Sequence, residues 1–142
     1  MELGSLDHDP CRIRVRVAGS AALLVSKLHK IADREHQPGR LGDKDALDIL
    51  RLLRGIDTEQ LAESIRRLLN HDLSREVTGE GLDLLRRLLG AADATGVEMA
   101  VRATEGLEDP ATIRGSCVAL ATDLLEAIGG AIGVSADLSR PR

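Results

Sequence analysis

Lys27, Lys30 and Arg34 stand at i, i+3 and i+7, and a short way along the chain Asp45 and Asp48 stand three residues apart. On helices each set falls on one face, giving a cationic stripe and an acidic one. Facing stripes of this kind serve two chemistries: ion pairs that clamp two helices together, or cations and carboxylates that handle a phosphate group. The lysines stand out from their background. Nineteen residues are cationic, sixteen Arg and three Lys, and all three lysines (Lys27, Lys30 and Lys44) lie within residues 18–54. A lysine carries a compact charge on a flexible stem and shifts its pKa readily on burial, which an arginine does not.

The elements that must position these residues are two amphipathic helices joined by a break. The first is predicted over 18–35, with Ala21, Leu24, Val25, Leu28 and Ile31 on its apolar face. Lys27 falls on the wheel between Leu23 on one side and Leu24 and Ile31 on the other, so its ammonium leaves from a mostly apolar surface. Gln37-Pro38-Gly39 ends that helix. The second is predicted over 43–54, burying Ala46, Ile49, Leu50 and Leu53, with Lys44 able to pair with Asp48 at i, i+4. An antiparallel hairpin of the two brings the Lys27 stripe against Asp45 and Asp48.

The rest of the chain reads as scaffold. Asp57-x-x-Gln60 has the form of a capping box, followed by a Leu61, Ile65, Leu68 stripe to residue 70. Further helices are predicted over 78–90 and 96–105. Asp109-Pro110 marks the start of a last helix over 110–129, which carries Ile113, Cys117, Leu120, Leu124 and Ile128 and stops at Gly129-Gly130. Residues 1–11 and 131–142 are expected to be flexible ends of a single domain. Residues 12–17, Arg-Ile-Arg-Val-Arg-Val, alternate charge with β-branched residues, the period-2 signature of a strand with one wet and one buried face. A lone strand needs a partner, so pairing with a second copy or another chain is expected there. The fold class predicted is mainly α: a bundle of five or six helices with one short N-terminal strand.

Composition narrows the function. Of 142 residues 43% are hydrophobic, yet none is Phe, Tyr or Trp, so the core is aliphatic. Without aromatics the chain lacks the platforms that stack single-stranded bases, and a formal charge of -4 disfavours a general grip on a phosphate backbone. Nucleic acid is therefore a disfavoured partner. No apolar run reaches membrane-span length, and the acidic, polar opening does not read as a signal peptide. Cys11 and Cys117 have no metal-like spacing. A cytoplasmic protein with reduced thiols is the expectation, with no membrane partner and no metal site. His8 between two aspartates and His71-Asp72 lack the further ligands a metal ion needs. Gly19-Ser20 followed by Asp33-Arg34-Glu35 imitates the spacing of a nucleotidyltransferase turn and acidic pair, but here the acids share a helix with the turn rather than standing on a neighbouring strand.

Two segments carry a family resemblance. Leu23-Leu24-Val25-Ser26-Lys27-Leu28, with Arg34 beyond it, and Lys44-Asp45-Ala46-Leu47-Asp48-Ile49 resemble the "LLxxKLxxxxxR" and "KDxxDL" helices of AbiEii-type nucleotidyltransferases. The resemblance covers residues 12–54. It implies an active-site role for Lys27, Asp45 and Asp48, and phosphate or nucleotide contacts for Lys30, Arg34 and Lys44. The family's glycine turn and DxD strand would precede residue 12, where only eleven residues stand. The resemblance thus implies the helical half of such a protein, catalytically incomplete alone. Mg²⁺ and a nucleotide would be engaged only if a partner supplied the acidic half, because two-metal phosphoryl chemistry requires the carboxylates that hold the ions. The alternative is a non-catalytic interaction or dimerisation module in which the Lys/Asp cluster is structural.

Overall fold

The computed structural model describes the backbone of residues 10–35 and 41–139 and the side chains of residues 16–35 and 42–129. Among the described residues six helices follow one another: α1 (Pro10–Arg34), α2 (Leu41–Gly55), α3 (Thr58–Leu69), α4 (Arg75–Leu89), α5 (Thr95–Ala103) and α6 (Pro110–Ser139). Among the described residues there is no strand. The fold is mainly α, as the aliphatic stripes predict.

The stripes do the packing. Ala21, Leu24, Val25, Leu28 and Ile31 of α1 are buried, as are Ala46, Ile49, Leu50 and Leu53 of α2. They join Leu61 and Ile65 of α3, Leu85, Leu88 and Leu89 of α4, Val97 and Ala100 of α5, and Ile113, Cys117, Leu124 and Ile128 of α6 in one cluster. Each fully covered Leu or Ile contributes about 1.5–3 kcal/mol through water removed from its surface. α1 packs against α2, α3 and α4, and α6 packs against α2, α3, α4 and α5.

Local signals fix several helix ends. Asp57 caps α3, its Oδ2 accepting the Gln60 N–H at 3.1 Å. Asp109 accepts the Thr112 N–H at 3.1 Å and starts α6, with Pro110 supplying a preset φ at the first helical position.

Residues 12–17, expected as a strand, fall at the opening of α1, and the side chains of residues 12–15, on which the two faces of that strand depend, lie outside the described residues. Of the alternating set, Arg16 is exposed and Val17 buried. α6 also runs through Gly129-Gly130 to Ser139, since glycine in a helix interior weakens it by only about 1 kcal/mol per residue and does not oblige a stop.

Candidate functional site

α2 runs back along α1, and the two stripes meet. Lys27 Nζ lies 3.1 Å from Asp45 Oδ1 and 3.0 Å from Asp48 Oδ2. Arg34 Nη1 donates to Asp45 Oδ2 at 2.6 Å. The fourth carboxylate oxygen, Asp48 Oδ1, faces Arg51 Nη1 at 3.9 Å. Asp45 is only 6% exposed, so its two cationic partners replace nearly all of its hydration. Lys27, Arg34, Asp45 and Asp48 together sum to zero charge.

This geometry sets the chemistry of Lys27. The Asp48 carboxylate first, and Asp45 second, hold the ammonium above its ordinary pKa of 10.5, and burial offsets this only in part. A lysine poised as a nucleophile or base needs the opposite shift. Lys27 keeps its proton and spends it on two carboxylates. Lys30 and Lys44, the other two lysines of the stretch, are exposed and stand apart from this cluster. Asp48 is held by Lys27 and Arg51 rather than by Lys44. Among the described residues no group of three His, Cys, Asp or Glu side chains is placed to hold a metal ion. Cys117, inside the core, has its thiol pushed up in pKa by burial, against a smaller opposing effect of Arg54.

Beside the cluster a cleft of about 600 Å³ opens between α1, α2 and the start of α3. Val17, Leu23, Leu52 and Ile56 supply its apolar surface, and Lys27 and Asp48 form one end of its wall. Arg16 and Arg51 also line it, and sequence reasoning passed over both. The signal was present in part: Asp48, Arg51, Leu52 and Gly55 are at i, i+3, i+4 and i+7, one face of α2, as are Ser20, Leu23 and Lys27 on α1. What the spacing lacked was the turn at Gly55–Asp57 that folds α3 across the end of the two faces.

No family model, curated protein or solved structure matches this chain.

Proposed function

We propose that the chain is a non-catalytic helical binding module in which Lys27, Arg34, Asp45 and Asp48 lock α1 to α2 and hold open the cleft beside them. The observation that carries this reading is saturation: the Lys27 ammonium bridges two carboxylates at 3.1 and 3.0 Å, and the buried Asp45 is bonded at both oxygens. Groups so engaged are matched to each other and have little charge left for a phosphate. Partner contact is assigned to the helical surface around the cleft, where Leu23 is left exposed.

A second reading keeps the nucleotidyltransferase-like expectation. It is favoured by one observation: Lys27 and Asp48 reach the wall of the cleft, where a phosphate could exchange for a carboxylate on the ammonium. Catalysis under this reading still requires an acidic, metal-holding half from another chain.

A double-mutant cycle separates the two, read by urea unfolding followed with far-UV circular dichroism because the chain has no aromatic fluorophore. The lock predicts that Lys27→Ala destabilises by about 2 kcal/mol, because one oxygen of buried Asp45 loses its partner. Asp48→Ala costs less, about 1 kcal/mol, since Asp48 is more exposed. Their coupling is at least about 0.5 kcal/mol. Additive, near-neutral effects, with calorimetric binding of a nucleotide and Mg²⁺ that Lys27→Ala abolishes, would overturn the lock in favour of the second reading.

A further inference from the structure

The cleft combines three features on one surface. Its floor is aliphatic, with Leu23 left 43% exposed among Val17, Leu52 and Ile56. Its volume lies within the ordinary range for small-molecule sites, roughly 300–1,000 Å³. And its lining carries three cations, Arg16, Lys27 and Arg51, against two carboxylates, Asp48 and Asp57. Asp48 serves Lys27 at 3.0 Å and meets Arg51 only at 3.9 Å, so Arg51, with its side chain 71% exposed, keeps donors free for a ligand.

From this complementarity we infer that the cleft binds a small amphiphilic carboxylate, an alkyl chain of medium length lying along α1 and α2 with its carboxylate on Arg51. This ligand assignment rests on the binding-module reading. The fit is one of length and chemistry. Val17 to Leu23 spans about 9 Å along α1 at 1.5 Å per residue, enough for a medium-length alkyl chain. A guanidinium fork accepts a carboxylate through two parallel hydrogen bonds. A nucleotide fits less well: no aromatic ring is available to stack its base, and a lining with a single positive charge in excess is a poor match for a multiply charged phosphate chain.

The test is titration of the full chain with octanoate, octanol and octylammonium, each below its micelle threshold, followed by calorimetry and by amide NMR shifts. The expected result is saturable octanoate binding, with shifts confined to residues lining the cleft. Octanol should bind about tenfold more weakly and octylammonium not measurably. Arg51→Ala should weaken octanoate about tenfold and leave octanol unchanged, with Arg16→Ala having the smaller effect. Leu23→Glu, at an exposed position, should abolish binding of both while leaving the unfolding transition in place. Equal binding of octanoate and octanol, shifts scattered outside the cleft, or saturable binding of an acidic amphipathic peptide with none of octanoate would overturn the assignment. Loss of Lys27–Asp48 coupling with octanoate binding intact would sink the lock alone, and the reverse outcome would sink the ligand class alone.

Discussion

At the scale of single residues, Lys27 is the position where physical chemistry constrains function most. Two carboxylates hold its pKa above 10.5, so the ammonium is favoured in the folded chain relative to the unfolded one. The sign of the resulting pH dependence follows directly. A group whose folded pKa is raised contributes stability that is fully present below the unfolded pKa and is lost as pH rises through the folded value. The contribution of Lys27 is therefore constant across neutral pH and disappears only above 10.5. Unfolding free energies of the native chain and of Lys27→Met, compared from neutral to strongly alkaline pH, should differ by a constant amount and converge only at the alkaline end. Convergence near neutral pH would mean that the lysine titrates there, as a catalytic amine would, and the lock would be lost as an explanation. The arginines of the cluster impose no such limit, because Arg stays charged throughout.

At the scale of elements, the glycines show how helix packing discriminates between chemically identical changes. Gly96, in the first turn of α5, faces α4, and a Cβ there would stand 2.7 Å from the Leu88 carbonyl oxygen, a backbone atom with no rotamer to give. Gly115, in the exposed interior of α6, would place its Cβ in open space. Gly96→Ala is expected to destabilise by about 1–3 kcal/mol through forced separation of α4 and α5. Gly115→Ala should stabilise by up to about 1 kcal/mol by restricting the unfolded chain and improving helix propensity. Urea midpoints of the two variants should move in opposite directions, and a common direction would show that α4 and α5 are packed less closely than this. The same distinction explains what the sequence made legible. Apolar spacing alone located the six helices and most of their buried residues, because a helix announces its inward face every 3.6 residues. The facing of Lys27 and Asp45 was legible as well, given a hairpin. The cleft was not, because it depends on where the turn after α2 sets the start of α3 beside the two helices, and no single-helix period encodes that.

At the scale of the whole molecule, ion pairs tie together helices that the aliphatic core leaves free to slide. Glu35 beyond the end of α1 takes Arg87 of α4 at 2.7 and 2.9 Å, and Asp43 of α2 takes Arg102 of α5 at 3.0 Å. Arg54 of α2 pairs with Glu108 ahead of α6 at 3.2 Å, and Glu98 of α5 receives both terminal nitrogens of Arg114 of α6 at 2.9 Å. These charged bonds are directional and so favour one register of the packed helices, although an exposed pair adds little to stability. The Arg114 guanidinium holds Glu98 below its ordinary carboxylate value of 4.5. A depressed pKa contributes stability that is present above 4.5 and is lost as pH falls through the lower folded value. Acid should therefore weaken the tie between α5 and α6 before it melts the helices: near-native far-UV circular dichroism should persist while methyl NMR signals at the α5–α6 contact shift. Glu98→Gln removes one titrating tie, so the fall in stability on acidification should be shallower than in the native chain, from a lower starting point. An unchanged slope would mean that Glu98 and Arg114 do not hold α5 against α6 in solution, and that core shape alone selects the register.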